Sequence, residues 1–413
     1  MLRTALVWLL LASVAVAQHA VWVVAPAAGP GVDFTGLQDA VDAADSFDTI
    51  LVRAGTYGSF VVVDKSLSIT ADAGAAVDIE GSLASSQVVG LGPDGFLTLS
   101  GLHLRSQVDG EPALLLEDCA GSVWLDHCLL AGHNVPPSLL VDPPTPGLVT
   151  TGCSSVVLAD CTLFGGAGLW GRTALQATGS ALHLYGTSAT GGSGQCDGKV
   201  IPTCGDGGAA ASLTGGLLTA QSSTLTGGVP SPGNQVCIPF PLCLCSISTS
   251  SGAALVLDGS AQAIVYDTTL AAGPAHPPCG LEASSATIVL SGTLDESSGS
   301  PFVVSATSPQ RVGDPAAIDF AGAPGDLAVA LLAIFPLDVW LPKWHGPWLV
   351  GGNFQILVLG SVPAAGILSL PYVVPALPPG FESVEFIVQA ARQSGEGTLL
   401  ANVSRVILLA PGF

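Results

Sequence analysis

Three polar side chains fall at sharp corners of a repeated pattern in this sequence, where they could carry out acid–base chemistry. His127 and Asp160 occupy equivalent positions in two consecutive repeats, and Asp126 directly precedes His127. A histidine beside a carboxylate can act as a general base whose ring the partner orients. Corner positions also favour Asp and His because these side chains hydrogen-bond the turn backbone. The sequence therefore leaves a catalytic and a purely structural interpretation open for these residues.

The repeat that places these corners consists of short apolar segments that align without gaps. The six segments are LTLSGLHLRS (97–106), VWLDHCLLAG (123–132), VVLADCTLFG (156–165), LHLYGTSATG (182–191), LTAQSSTLTG (218–227) and AIVYDTTLAA (263–272). Each segment contains two alternating strands around a two-residue corner, and alternation with period two buries one face of a strand. One unit cannot close a core, but units stacked about 4.8 Å apart bury a continuous apolar column. The pattern predicts an all-β protein, a parallel β-helix.

Stacking in register predicts two vertical ladders of inward side chains. The first ladder is Leu99, Leu125, Leu158, Leu184, Ala220 and Val265, and the second is Leu104, Leu130, Leu163, Ala189, Leu225 and Leu270. At the start of the chain, residues 34–44 predict an amphipathic helix that plugs the column and hides its strand edges. Thr35 is the expected N-cap of this helix, with Gln38 completing a capping box.

The segment that contains this helix resembles a known protein family. DFTGLQDAVDAADSFDTILVRAGTYGSFVVVDKSLSITADAG (33–74) is similar to the entry segment of the right-handed parallel β-helix proteins, the pectin-lyase-like superfamily. The resemblance extends over about residues 20–300 and implies the fold rather than one activity, since this superfamily includes lyases, hydrolases, esterases, adhesins and proteins of no known activity. The methylesterase strings QAVAL, QDTL and DFIFG are absent, the polygalacturonase set is not found, and no basic cluster suits a pectate lyase.

The composition limits the classes of molecule that are expected to bind this chain. The formal net charge is -21 and only 10% of residues are charged, whereas about 25% is usual. The charge therefore argues against nucleic acids and anionic membranes as partners, because proteins bind both through Lys and Arg. A neutral polysaccharide or a cell-surface component fits better. Residues 1–17 predict a cleaved signal peptide, with Arg3 before a short apolar run and Ala15-Val16-Ala17 at the cleavage site. We expect the protein to be secreted or held at the cell surface, without a transmembrane segment after cleavage.

Ten cysteines in an exported chain indicate disulfides. The first expectation is a pair of staples between coils, Cys128–Cys161 and Cys119–Cys153. The alternatives are the local pairs Cys119–Cys128 and Cys153–Cys161, or buried thiols that pack as small hydrophobes. Cys196 and Cys204 should bridge one loop. The remaining candidates, which can form two more bridges, are Cys237, Cys243, Cys245 and Cys279.

The long insertions of the repeats should form one lateral face, which is the expected binding surface. The predicted loops are 132–149, 166–180, 192–212, 228–252 and 273–285. Trp170, Tyr185 and Tyr266 are candidates to stack on sugar rings, although aromatics at loop bases more often pack. Asp197 and Asp206 flank one loop and could hold Ca²⁺, the only cofactor the sequence suggests, although a solvated acidic loop is the default.

The sequence pattern of residues 301–413 differs from that of the repeats. It predicts a small β-sandwich-like module after the β-helix of residues 18–300. This region has no cysteine and contains the aromatic cluster Trp340, Trp344 and Trp348. Its role could be attachment, sorting or capping of the column. The preferred hypothesis for the whole chain is an exported, non-enzymatic β-helix protein that binds carbohydrate or a surface, or is structural. The alternative is a polysaccharide lyase or glycoside hydrolase with a non-standard site near His127 and Asp160.

Overall fold

Most of the chain folds into stacked parallel strands, and the predicted all-β class is confirmed. The computed structural model describes residues 19–413 except 82–83, 137–143, 197–203, 232–234, 238–242, 246–249, 275–285, 300–301, 345, 353 and 396. Three long parallel sheets, which we name A, B and C, wind together into a parallel β-helix. A separate β-sandwich-like region follows. Within the described residues, no helix is long and apolar enough to cross a membrane.

Sheet A has ten strands and forms the broadest side of the column. Its strands are β1 (Val21–Val24), β2 (Thr49–Val52), β5 (Leu67–Ala71), β8 (Phe96–Ser100), β11 (Ser122–Asp126), β14 (Ser155–Ala159), β17 (Ala181–Tyr185), β20 (Leu217–Gln221), β25 (Ala261–Tyr266) and β28 (Gly292–Ser297). Every neighbouring pair in this sheet is parallel, as a coil that returns to the same side requires.

Sheets B and C form the other two sides, with eight strands each. Sheet B contains β3 (Gly55–Gly58), β6 (Val77–Gly81), β9 (Leu102–Ser106), β12 (Leu129–Ala131), β15 (Thr162–Phe164), β18 (Ser188–Thr190), β21 (Thr224–Thr226) and β26 (Thr269–Ala271). Sheet C contains β4 (Val61–Val63), β7 (Ser86–Val89), β10 (Leu114–Glu117), β13 (Leu148–Thr151), β16 (Leu175–Thr178), β19 (Ala211–Thr214), β24 (Leu255–Asp258) and β27 (Thr287–Val289). A short hairpin, β22 (Gln235–Cys237) with β23 (Cys243–Cys245), lies between β21 and β24.

Both predicted ladders are confirmed by the strand register. In sheet A, Leu99, Leu125, Leu158, Leu184, Ala220 and Val265 are successive partners. In sheet B, Leu104, Leu130, Leu163, Ala189, Leu225 and Leu270 are successive partners. Nearly all of these side chains are buried in one continuous apolar core. Side chains far apart in sequence therefore share one column because identical alternation forces one register.

The third strand of each coil was missed by the sequence prediction. Sheet C strands are only three or four residues long and carry exposed polar residues such as Thr151 and Thr178. The predicted loops 132–149 and 166–180 therefore overlap strands β13 and β16. Since a strand with one inward face needs only two buried residues in four, its apolar signal is weak.

A short helix, α1 (Leu37–Ala43), lies at the first coil as expected. Leu37, Ala40, Val41 and Ala44 are all buried in the column's core. The predicted N-cap was wrong, however, because Gly36 occupies that position and makes no side-chain hydrogen bond. Gln38 instead bridges the helix to the coil, since its Oε1 accepts the Val61 N–H at 2.7 Å.

Loops leave sheet B and return to sheet C through extended glycine segments that pack directly on one another. We call the row Gly192, Gly208, Gly228, Gly252 and Gly273 the glycine stack. Each N–H of the row after the first donates to the carbonyl of the preceding member, at 2.7–2.9 Å. A Cβ at Gly252 would lie 1.8 Å from the Gly208 carbonyl oxygen. Outgoing and returning segments thus alternate at a spacing that leaves no room for a side chain.

The expected staples between coils are not formed. Cys119, Cys128, Cys153 and Cys161 are buried free thiols, which was the third alternative. Each Sγ points at corner carbonyls: that of Cys128 lies 3.3 Å from the Leu99 oxygen, and that of Cys161 lies 3.3 Å from the Leu125 oxygen. On later coils Thr187 and Ser223 fill the place of Cys128 and Cys161 and donate to carbonyls two residues back. These cysteines thus act as small donors at a corner.

The predicted loop bridge is present between Cys196 and Cys204, with a sulfur–sulfur distance of 2.01 Å. In the hairpin of β22 and β23, the backbone of Cys237 is paired with that of Cys243. The side chains of Cys237, Cys243 and Cys245, and all of Cys279, lie outside the described part of the chain. The bridges expected among them therefore stay predictions.

The C-terminal region is built mainly of antiparallel strands, as predicted for a β-sandwich-like module. Its strands are β29 (Val303–Ala306), β30 (Gln310–Arg311), β31 (Pro315–Ala321), β32 (Leu327–Ala333), β33 (Phe335–Leu341), β34 (Gly346–Gly351), β35 (Gln355–Ser361), β36 (Ile367–Val373), β37 (Ser383–Ser394) and β38 (Gly397–Leu409), with a 3₁₀ turn at Pro342–Trp344. They form one sheet of three strands, one of five and the hairpin of β33 and β34. Trp344 and Trp348 contact each other within this hairpin, at 5.7 Å between ring centroids.

This module packs along the outer face of sheet A rather than over the end of the column. Trp124, Val157 and Tyr185 of sheet A join an apolar cluster with Leu331 and Ile387 of the module. Such packing buries outward-facing residues that an isolated β-helix would expose to water. The described residues therefore place the module along the side of the column, and its role in attachment or sorting stays a prediction.

Buried polar anchors fix this contact. The Arg405 side chain is 2% exposed, and its guanidinium lies 2.6 Å from Glu385 and within 5.0 Å of the ring centroids of Phe96 and Trp124. His183 of sheet A is also buried, and its Nε2 lies 2.7 Å from an Asp338 oxygen of the module. Breaking a buried pair by removing one partner is strongly destabilising. The two parts of the chain are therefore held in one arrangement.

The far end of the column carries charge where the earlier rungs carry aliphatic side chains. In the last strand of sheet A, Glu296 is the register partner of the inward-facing Val265. Glu296 is exposed and follows Asp295. An inward-pointing charge on an edge strand opposes the addition of another strand. The stack therefore ends on a rung that disfavours continuation.

Candidate functional site

The corners between sheets A and B form a vertical row of residues with left-handed backbone. Gly101, His127, Asp160, Gly186 and Ser222 all have φ between 50° and 68°. Glycine adopts this conformation freely, whereas among other residues it is most frequent for Asn, Asp and His. Gly101 and Gly186 occupy the corners before His127 and after Asp160. The fold itself therefore does not require a charged side chain at the two corners between them.

At these two corners the three predicted residues come together. The Nδ1 atom of His127 lies 2.9 Å from an Asp126 oxygen, and its Nε2 lies 4.0 Å from an Asp160 oxygen. The His127 side chain is 55% exposed, Asp160 is 37% exposed and Asp126 is 8% exposed. Asp160 also leans over the next corner, where a Cβ at Gly186 would lie 2.4 Å from its carboxylate. The ring is thus held by a buried carboxylate on one side and faces solvent on the other.

The hydrogen bond to Asp126 and the charge of that carboxylate raise the pKa of His127 to about 9, although burial opposes the shift. The charge of Asp160 adds to the rise. Burial raises the pKa of Asp160 in turn, and the charge of His127 offsets part of that effect. His127 is therefore an imidazolium at neutral pH, with both ring nitrogens protonated. In this state it donates hydrogen bonds and cannot accept a proton.

A groove runs from this corner to the C-terminal module, and we call it the corner groove. One wall is formed by residues 71–75, Ser100, Gly101, Asp126 and His127, and the other by residues 305–309, 315–317 and Asp319. Its cavity volume is about 810 Å³. Near one end, Arg311 of the module forms an ion pair with Asp72 at 2.5 Å. The groove thus offers carboxylates and one imidazolium, which suits a ligand rich in hydroxyl groups.

Sequence reasoning did not find the second wall. It lies about 180 residues further along the chain than His127, and nothing in the repeats points to it. The loops 192–212 and 228–252, which could have covered the corner, join sheet B to sheet C in their described parts and so leave from a different edge of the coil. The corner between sheets A and B is left accessible to solvent.

Two of the predicted sugar-stacking residues are less exposed than expected. Tyr185 is 2% exposed and belongs to the apolar cluster under the module. Tyr266 packs against the module's core, and its hydroxyl accepts a hydrogen bond from Arg392 at 3.1 Å. Both lie on the outer face of sheet A, which the module covers. Trp170, by contrast, is 57% exposed on a loop between sheets B and C.

Only one residue of the predicted calcium-binding pair, Asp206, lies within the described part of the chain. Asp197 lies outside the described residues. Asp206 is exposed, and its carboxylate accepts the Ser250 N–H at 2.5 Å, so it joins two loops. Among the described residues, no cluster of three or more His, Cys, Asp or Glu side chains is suited to hold a metal ion. The observed role of Asp206 is therefore a loop contact.

Comparisons with known proteins give little beyond this geometry. No protein-family model matches the chain, and no curated protein matches it. Among solved structures, it is similar to the enzymatically active domain of tailspike protein 4 from bacteriophage CBA120, with 13% identity and a TM-score of 0.18. The match covers 87% of this chain and 64% of that one, so this chain spans less than two thirds of its length.

Proposed function

We propose that this protein is an exported, non-enzymatic binder of a neutral polysaccharide, and that the corner groove, together with Asp160 on the neighbouring corner, is its glycan site. The observation that carries the proposal is the pairing of an exposed donor with an exposed acceptor. The Nε2 of His127 and the carboxylate of Asp160 lie 4.0 Å apart, too far for a direct hydrogen bond. A pair of neighbouring sugar hydroxyls can bridge them, because each hydroxyl both donates and accepts.

Charge supports a neutral ligand. The formal net charge of -21 repels acidic polymers, and the groove adds Asp72, Asp126 and Asp319. Export is supported by the signal-like residues 1–17 and by the Cys196–Cys204 disulfide. The entry segment that resembles the pectin-lyase-like superfamily supports a carbohydrate context for the fold. Trp170 offers a separate exposed ring on the lateral loops.

The alternative, a polysaccharide lyase or glycoside hydrolase, is favoured by one feature, the contact between Asp126 and His127. That contact resembles an oriented base. A ring whose pKa is about 9 is protonated at neutral pH, however, so a base mechanism predicts turnover that appears only as the pH rises toward 9. Binding without turnover at every pH supports our proposal.

The test is a glycan array with the secreted protein, followed by affinity measurements on the neutral polysaccharides that bind. His127→Ala and Asp160→Asn should each weaken binding about tenfold, because each variant loses about one charge-assisted hydrogen bond. His103→Ala is the matched control, because His103 also contacts a carboxylate, that of Asp78 at 3.4 Å, but lies on sheet B. Binding that survives both His127→Ala and Asp160→Asn would refute the site, and release of reducing or unsaturated sugars that His127→Ala abolishes would refute the non-enzymatic assignment.

A further inference from the structure

A second cavity, which we call the apolar cavity, lies where the first coils of sheet A meet the C-terminal module. The β-helix contributes His19, Phe47, Thr49, Ser68 and Phe96. The module contributes Ile334, Phe335, Pro378, Phe381, Ser383, Val384 and Glu385. The volume is about 320 Å³, at the lower end of the range for small-molecule sites, which often occur between domains.

Aromatic rings dominate the lining. Phe47 contacts Phe96 at 5.5 Å between ring centroids, and His19 contacts Phe47 edge-on at 5.8 Å. Phe47 and Phe335 stay 40% and 50% exposed, and Phe381 completes the set. Ring pairs at such separations prefer tilted or edge-on geometry and gain energy beyond area burial. One more ring inserted among them would extend this arrangement.

Apart from His19, whose pKa burial lowers below its ordinary value, the polar side chains of the lining already have partners. The Glu385 carboxylate accepts hydrogen bonds from Ser68 at 2.5 Å and Thr98 at 3.1 Å, and it also faces Arg405. The hydroxyls of Thr49 and Ser383 contact each other at 3.0 Å. A charged ligand would find no unpaired counter-charge here and would lose its hydration. The lining therefore selects a neutral ligand.

From these observations we propose that the apolar cavity binds one neutral aromatic ring system of one or two rings. The size excludes a polymer, the satisfied polar groups exclude an ion, and the four phenylalanines favour a ring over a flexible chain. The site is independent of the corner groove, which is lined by different residues. A protein that binds a polysaccharide at its corner would thus carry a separate pocket for a small apolar molecule.

Indole is a suitable probe, because it is a neutral bicyclic ring that dissolves at millimolar concentration. We expect it to bind the full secreted chain by isothermal titration calorimetry. Ile334→Trp, which fills the cavity, should weaken binding at least tenfold, and Val384→Trp provides a second filling variant should the first fail to fold. Phe164→Ala is the control, since Phe164 is an exposed phenylalanine of sheet B, 42% exposed and remote from the lining; it should leave indole affinity unchanged.

A crystal soaked with bromobenzene locates the ring, since anomalous scattering from bromine should appear among Phe47, Phe96 and Phe381. Three results would overturn the proposal: no indole binding at millimolar concentration, equal affinity in the filled variants, or bromine found elsewhere only. Tighter binding of decanol than of indole would also overturn it, because that order indicates a site for an alkyl chain. His127→Ala should not change indole affinity, so failure of the glycan proposal and failure of this one are distinguishable.

Discussion

The titration of His127 offers the sharpest test of the candidate site. An opposite charge within hydrogen-bonding distance typically moves a pKa by about 1–3 units, and the contact with Asp126 at 2.9 Å raises that of His127 to about 9. Asp126→Asn should therefore lower the pKa of His127 by about 1–3 units. Asp160→Asn should have a smaller effect, because its carboxylate is 4.0 Å away and more exposed. The assay is a pH titration of the ring resonances by NMR.

The sign of the pH dependence follows from this pKa. Because the folded-state value lies above the unfolded value of about 6.5, the stabilisation from the charged ring is fully present below about pH 6.5. It is lost as the pH rises through about 9. Glycan affinity should fall over the same upper range, since Nε2 loses its proton while Nδ1 keeps its hydrogen bond to Asp126. A ring that titrates near 6.5 in the wild-type protein, or a larger effect of Asp160→Asn than of Asp126→Asn, would refute this reasoning.

Three further predictions concern the scaffold. Gly252→Ala in the glycine stack should lower the free energy of unfolding by about 1–3 kcal/mol, whereas Gly58→Ala, whose Cβ meets nothing within 4 Å, should not; urea denaturation of both variants measures the difference. Burial raises the pKa of Asp338, but the hydrogen bond and charge of His183 outweigh burial and hold it below its ordinary value, so stability should fall as the pH drops below about 4 and Asp338→Asn should flatten that loss in thermal melts. Cys161→Ser should cost less than about 1.5 kcal/mol, because a serine occupies the same corner position two coils later; a larger loss in denaturant melts would contradict the proposed donor role.

The column could be predicted from sequence because its signal is repeated. Leu125 and Leu158 align across units, and a shift by one residue would turn each of them outward. The same alignment correctly brought His127 next to Asp160. The alignment could not tell whether the buried Cys161 forms a disulfide or stays a thiol, since stacked cysteines satisfy the spacing for a disulfide and equally the packing of two thiols. The continuation of that row as Thr187 and Ser223 was the available clue.

The groove and the cavity could not be predicted, because both depend on where the C-terminal module docks. The side chains of Tyr185 and Trp124 point outward from sheet A. The alternation of the strands alone therefore predicts that they face solvent, whereas the module covers them. Residues 305–319 reach His127 only through long-range packing that no local pattern encodes. The informative residue was Arg405, since an arginine in an apolar strand (SRVILLA) requires buried partners; it pairs with Glu385 on the adjacent strand and contacts the rings of Phe96 and Trp124 on sheet A.

The glycine stack has a consequence for how such a protein can diversify. Because only backbone atoms meet there, the chain can leave the β-helix and rejoin it whatever the sequence and length of the loop in between. Excursions of different size, those between β18 and β19 and between β21 and β24, leave and re-enter through the same geometry. Insertions, deletions or grafted sequences at these exits should therefore be tolerated. The lateral loops can vary while the architecture beneath them is inherited unchanged.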